Sequence, residues 1–437
     1  MSSQYPRPPF PAAAACRPLA VALALSLTSA PSLRADPAVV TGQEPAASLA
    51  VSLDAYDFSK QPGLRERILA SPYGYFRFIN RPFAQAVCRR FARDLEVMAL
   101  VNLHGDAHLE NYSVTERQRG LADFDDAAAG PAVLDLVRFG VSLRLASRAL
   151  GIAERADAVL AAFLEGYRSG LRDGDAVPPE PALATRLRAD FAKGRRELLA
   201  RAEALMQPIE MSRRDFERAS QQYRRQMREA HPELPAGFFD IKSLGALTLG
   251  IGSAFREKYL LRVEGATGAP EDDVILEAKA IRDLIGVDCI QRPRKAITRV
   301  AVAQARLSFV LPRYVGYVVL HPYLGFERRE KFWVFAWDDH YAELSVPRSF
   351  RTPKDLFEVA RDAGVQLGRG HPKGIADPYE AELRRALLSS VAHFEADITA
   401  AVRDLTRETI AAWDSVRAQA TAAPRTAAPA SAVTPAP

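Results

Sequence analysis

The sequence predicts an α+β protein: a mostly helical part carrying one polar loop cluster, a small antiparallel β-rich part, and a helical close. Three observations lead there. Apolar residues recur at mixed three and four spacing through residues 57–100, 133–172 and 178–230, the period of helices with one buried face. From Ile241 the period shortens to that of strands separated by glycine-containing turns. Residues 353–370 and 377–419 then return to helical spacing. At 437 residues, 48% hydrophobic and 25% charged, the chain has ample length for a core, and the composition excludes collagen-like, disulfide-scaffold and wholly disordered classes.

The first 35 residues read as an export signal. Arg17 precedes the apolar run from Pro18 to Leu27, which is of signal length and too short to span a bilayer, and Leu33 and Ala35 suit cleavage after Ala35. This predicts an exported, periplasmic protein; the alternative is an extension from a misassigned start, which leaves the protein cytoplasmic. Residues 36–56 read as a linker. The signal holds three arginines and no acid, so the rest carries 55 basic against 53 acidic residues. A body so close to neutral offers no electrostatic footprint for nucleic acid or an anionic membrane. Cys88 and Cys289 remain after cleavage; they could pair in an oxidising compartment, although two buried thiols are the commoner outcome. No Cys/His spacing suggests zinc.

Within the body, residues 57–235 form the helical, loop-bearing region. Helical spacing through Leu64, Ile68, Phe83 and Val87 leads into a loop at 103–111, followed by two short strand-like pieces near Arg117 and Gly120. Residues 212–230 are highly charged and read as a solvated helix face. The region 236–345 is β-rich, with strands expected at 244–249, 259–263, 274–278, 317–320 and 332–335. Residues 346–420 form helices expected to pack on the first region, and the Ala/Pro/Thr-rich stretch 421–437 is expected to be disordered. There are no internal repeats, and no segment of the mature chain is apolar enough to span a membrane.

The chemistry concentrates in His104-Gly105-Asp106-Ala107-His108-Leu109-Glu110-Asn111, followed by Asp123-Phe124-Asp125-Asp126. Phosphoryl transfer needs a carboxylate to position an attacking hydroxyl, and an amide with a carboxylate to hold Mg²⁺ against phosphates. Asp106, Asn111 and Asp123 supply those groups in that order, all with hard oxygen donors. A second chemistry is also written here: His104, Asp106 and His108 alternate as they would on an extended metal-binding loop of a secreted metallohydrolase. The plain structural alternative is a polar loop in which Asp106 caps a helix and His104 packs.

This loop resembles the catalytic loop of the aminoglycoside phosphotransferase and choline kinase group, and Asp123-Phe124-Asp125 sits where that group places its metal-binding Asp. The bacterial DUF2252 family is a closer resemblance, on the loop, on Asp123–Asp126, on Gly130-Pro131, on Leu134-Asp135-Leu136-Val137-Arg138-Phe139 with Ser142, and on Ser71-Pro72-Tyr73-Gly74-Tyr75-Phe76-Arg77. Phe78 stands where that family has Gly. The resemblance implies a two-lobed, protein-kinase-like fold and ATP with Mg²⁺ as cofactors. Asp106 would orient the acceptor hydroxyl; Asn111 and Asp123 would be metal ligands with Asp125 as helper. Asp135 would brace the loop, as would His104, with His108 and Arg138 as further support. Arg77 would reach phosphate or form a buried ion pair.

Gly250-Ile251-Gly252-Ser253 lies between two strand-like pieces, where closely spaced glycines let backbone amides approach phosphate. Lys279 ends the following strand and resembles the phosphate-pairing lysine of kinases, so Gly250, Gly252, Ser253 and Lys279 are the nucleotide-binding candidates. Phe255 and Ala280 depart from the family pattern of a third Gly and a Glu. The glycine loop here follows the catalytic loop, which implies permuted lobe order, and a fainter resemblance covers Leu367-Gly368-Arg369-Gly370-His371. The expected function is therefore a kinase-like phosphotransferase acting on an unidentified hydroxyl-bearing acceptor. The alternative is an exported nucleotide- or metal-binding protein without turnover.

Overall fold

The structure, a computed structural model, describes residues 49–59, 61–191, 194–209, 213–247, 257–281, 286–291, 296–309, 311–320, 330–338 and 340–422. The expected signal, the glycine loop with Gly250, Gly252 and Ser253, and the tail beyond 422 lie outside these residues.

Helix and antiparallel sheet combine as the α+β reading expects. Helices α1 (Pro62–Leu69), α2 (Pro72–Phe78) and α3 (Asn80–Arg90) lead into strands β1 (Leu100–Leu103), β2 (Tyr112–Thr115), β3 (Arg119–Leu121) and β4 (Ala128–Pro131). Helices α4 (Val133–Ala149), α5 (Ala156–Arg172), α6 (Ala182–Ala189), α7 (Arg195–Leu205), α8 (Arg213–Ala219) and α9 (Gln221–Ala230) follow. Next come β5 (Ile241–Ala246), β6 (Lys258–Val263), β7 (Val274–Ala280), α10 (Ala296–Leu307), β8 (Gly316–Leu320), β9 (Glu330–Ala336) and β10 (Tyr341–Glu343). The chain closes with α11 (Val346–Ser349), α12 (Pro353–Gly370) and α13 (Glu380–Ala422). Among the described residues no helix is long and apolar enough to cross a membrane.

One hydrophobic core joins α1–α5, α12 and α13, with Phe76, Phe83, Phe139, Phe163, Val359 and Val402 among its buried members. Close contact between α5 and α12 depends on small residues. A Cβ on Gly166 or Gly170 of α5 would lie 2.2 or 2.3 Å from a backbone oxygen of α12, and one on Gly364 or Gly368 of α12 would lie 2.2 or 2.1 Å from a backbone oxygen of α5. Each pair sits four residues apart, hence on one helix face. The start of α12 is fixed by Thr352, whose hydroxyl accepts from the Asp355 amide while the Asp355 carboxylate accepts from the Thr352 amide. That same carboxylate is held by both terminal nitrogens of Arg186 at 3.0 and 2.8 Å.

A second core surrounds a five-stranded antiparallel sheet of order β5-β6-β7-β9-β8. Side chains alternate between its faces. Tyr259, Leu261, Val263, Leu276 and Ala278 pack with Phe216, Tyr223 and Met227 of α8 and α9, whereas Leu260 and Ile275 meet Leu199 and Ala202 of α7. Two small sheets serve the loop region: β1 pairs with β4, and β2 lies between β3 and β10. Through β10 and α10, segments late in the chain pack beside the loop. Helix α10 falls in a stretch read from sequence as β-rich; its Ala303 and Leu307 enter the helical core. Cys88 of α3 and Cys289, whose pairing the sequence leaves open, are joined in a disulfide at a sequence separation of 201 residues.

Candidate functional site

Strand β1 delivers the loop and Gly105 turns it. Gly105 has φ +80°, and a Cβ there would stand 1.8 Å from the Asp126 carbonyl oxygen, so the loop passes against the 124–127 segment at a distance only glycine permits. Asp135, at the start of α4, accepts from the amides of His104 (2.6 Å) and Gly105 (2.9 Å). Its Oδ2 also lies 3.2 Å from His371 Nε2, and His371 Nδ1 lies 2.8 Å from the Tyr167 hydroxyl. Burial opposes the charge on Asp135, but the His371 hydrogen bond and charge, with the His104 amide hydrogen bond, outweigh it and hold the carboxyl below its usual range. Asp135 thus ties the loop to α4, and a histidine from the end of α12 extends the contact.

His104 is itself spent on structure. Its Nδ1 accepts from the Asp106 amide (3.3 Å), so Nε2 carries the hydrogen and donates to the Ala122 carbonyl (2.8 Å). With both ring nitrogens engaged, the alternating His104–Asp106–His108 metal site fails. Asn80, which the sequence reading did not single out, donates through Nδ2 to the Gly105 carbonyl (3.0 Å) and Asp126 Oδ2 (3.1 Å). It ties the loop to the acidic segment.

Asp106 is buried and its Oδ1 accepts from Arg138 Nε at 2.6 Å. The guanidinium of Arg138 lies over the Phe76 ring, 4.3 Å from its centroid. Burial pushes the Asp106 carboxyl up and Asp126 adds to that, while Arg138 pulls it down; the net direction is upward. Oδ2 faces His108 Nε2 at 3.9 Å. Burial, followed by the charges of Arg77 and Arg138, drives His108 well below the ordinary histidine range, so the ring is neutral. His108 Nδ1 and Arg138 Nη1 are buried with no partner among the described residues. The choice left open for Arg77 resolves to an ion pair: its Nη1 donates to Glu110 Oε2 at 2.8 Å. Glu110 Oε1 accepts from the Val346 amide at 2.9 Å.

Asp123 adopts a left-handed backbone, φ 62° and ψ 65°, unusual for a non-glycine residue. This conformation carries its carboxylate to Lys279 of β7, whose Nζ stands 2.7 Å from Asp123 Oδ1 and 2.6 Å from Asp125 Oδ2. The amine that the sequence placed opposite the acidic loop therefore touches two of its carboxylates. Strand register adds a residue the sequence reading missed. Lys258 lies directly opposite Lys279 in the β6–β7 ladder and is equally buried. Burial first, then the Lys279 charge, lowers its pKa, against the pull of Glu277, Asp123 and Asp125. Arg299 of α10 was also missed; its Nη1 donates to the carbonyls of Asp125 (2.7 Å) and Ala127.

The profile of a bacterial family described as "Uncharacterized protein conserved in bacteria (DUF2252)" matches residues 61–188 and 180–419, covering the loop, the acidic segment and Lys279 alike. The chain belongs to the DUF2252 family. No curated protein and no solved structure matches it. The DUF2252 site offers oxygen donors that suit a hard cation such as Mg²⁺: the Asp123 and Asp125 carboxylates and the Asn111 amide oxygen. Asn111 donates through Nδ2 to the Asp106 carbonyl at 2.9 Å, which reserves its Oδ1 as an acceptor. Among the described residues the one close cluster of three acids, Glu264, Asp272 and Asp273, lies elsewhere, and Lys242 and Arg262 pair with its Asp273.

Proposed function

We propose that this DUF2252 protein is a kinase-like phosphotransferase that uses ATP and Mg²⁺ to phosphorylate a hydroxyl-bearing acceptor. The observation that carries the reading is Lys279, brought from a separate sheet to within 2.7 and 2.6 Å of Asp123 and Asp125. Asp123, Asp125 and Asn111 hold the cation, which supplies charge neutralisation for the phosphates; Lys279, seconded by Lys258, pairs with phosphate oxygen. Asp106 orients the acceptor through Oδ2, because Arg138 occupies Oδ1. The acceptor oxygen bonds to the γ-phosphorus as the bond to the bridging oxygen breaks, ADP leaves, and the hydroxyl proton passes to Asp106. Catalysis of this kind rests on positioning and electrostatics.

A second reading, a nucleotide- or metal-binding protein without turnover, draws on the Arg138 ion pair, which weakens Asp106 as a proton acceptor. The proposed location is the periplasm, and the Cys88–Cys289 disulfide supports an oxidising compartment. Incubation with γ- and with α-labelled ATP separates these readings. Transfer of the γ label, with Asp106→Ala lowering turnover roughly a hundredfold or more while Mg²⁺-dependent ATP affinity is retained, is the expected result. Retained affinity without any transfer favours the second reading, and no Mg²⁺-dependent ATP affinity rejects both nucleotide readings.

A further inference from the structure

A cavity of about 210 Å³ lies between the end of α10, the end of α12 and the start of α13, apart from the carboxylates of the candidate site. Its lining includes Arg306, Arg369, Lys373 and Arg384 against two acids, Asp175 and Glu380. Arg384 is matched by Glu380 at 2.6 Å. The other three cations have no carboxylate within ion-pair distance among the described residues. Arg306 donates to Asn102 Oδ1 (2.9 Å) and the Gly374 carbonyl (2.7 Å). Arg369 donates through Nε to the Gly174 carbonyl (2.8 Å) and lies 4.9 Å from the centre of the Phe309 ring. Its two terminal nitrogens make no hydrogen bond to the described residues. Lys373 is exposed and its ammonium is likewise without one, feeling Glu380 only through a longer-range attraction.

Two arginines held in place, Arg306 by Asn102 and the Gly374 carbonyl and Arg369 by the Gly174 carbonyl, with the Lys373 ammonium beside them on the same cavity, form an anion cradle. Arginine forks match carboxylate and phosphate oxygens two at a time. The volume lies below the roughly 300–1,000 Å³ of pockets that take drug-sized ligands, so the fit is to a compact ion. We infer that this cavity binds a small polyanion carrying two or more phosphate or carboxylate charges, held by Arg369, Lys373 and Arg306. The site abuts the structure that feeds the acidic loop. Arg306 grips Asn102 of β1, and Gln366, also in the lining, accepts from the Leu121 amide at 2.6 Å, two residues before Asp123.

The test is calorimetric titration of the full chain with pyrophosphate and, separately, with citrate. Pyrophosphate can also enter a phosphate-handling cleft, so the titration is repeated in Lys279→Ala. The expected result is saturable 1:1 binding of at least one of the two ions that survives Lys279→Ala and weakens about tenfold in Lys373→Glu. Lys373 is exposed, so its replacement leaves the fold intact; Arg369→Gln should weaken binding as well. Whichever ion binds more tightly tells phosphate from carboxylate. Absence of saturable binding by either ion overturns the inference, as does an affinity untouched by Lys373→Glu or abolished by Lys279→Ala. None of these outcomes depends on whether the protein transfers phosphate.

Discussion

His108 shows how the site uses burial. It is enclosed near Asp106, with burial first and then Arg77 and Arg138 disfavouring its charge and Asp123 only weakly favouring it. The unfolded chain takes up a proton near pH 6.5 that the folded state refuses. Below that pH the unfolded state binds more protons, so stability falls as pH falls, by up to about 1.4 kcal/mol per pH unit. Urea titrations of the protein and of His108→Gln between pH 7 and 5 should show the variant losing less stability on acidification; parallel curves would mean that the ring is protonated when folded. At this scale residue type and spacing point to Asp106, Asn111 and Asp123, and the family resemblance points to Lys279; the fold sets that lysine against Asp123. Lys258, Arg299 and Asn80 carry no such signal, because each acts through a partner that only the fold supplies. A lysine in a strand reads as solvent-facing until strand register sets it beside Lys279.

At the scale of elements, α5 and α12 do more than fill the core. Their glycine faces bring backbone against backbone, and this seats His371, just past α12, between Tyr167 of α5 and Asp135 of α4. Gly368→Ala places a methyl group 2.1 Å from the Tyr167 carbonyl, an atom that cannot swing aside. We expect a loss of about 1–3 kcal/mol in chemical denaturation, the range of overpacked cores. Faster hydrogen exchange at the His104 and Gly105 amides, which end on Asp135, should accompany it. Destabilisation without that local exchange would mean that α12 does not brace the loop. The helical spacing of α12 and α13 was readable because apolar residues mark one face over many turns. Helix α10 was not read as such, although Val300, Ala303 and Leu307 are buried at helical spacing, because short apolar runs among strands favour a strand reading.

For the molecule as a whole, the bond between Cys88 and Cys289 links α3, in the helical core, to the segment between Lys279 and α10. Nothing in the sequence separates this pair from two buried thiols, because the sulfurs meet only once a chain separation of 201 residues has folded. The bonded form bears on both halves of the proposed function. It suits an exported protein, and it anchors the chain between the strand bearing Lys279 and the helix bearing Arg299, the residue that holds the Asp125 carbonyl. A crosslink closing so long a loop restricts the unfolded chain strongly, and stabilisation of about 2–5 kcal/mol is expected. Protein purified from the periplasm should contain no free thiol by mass spectrometry after alkylation. The double variant Cys88→Ala/Cys289→Ala should lose that much unfolding free energy in denaturant titrations, with a steeper slope because its unfolded chain is free to expand. If the native protein alkylates at both cysteines, or if reductant leaves its denaturation midpoint where it was, the bond does not form in the cell, and the argument it lends to an oxidising location falls with it.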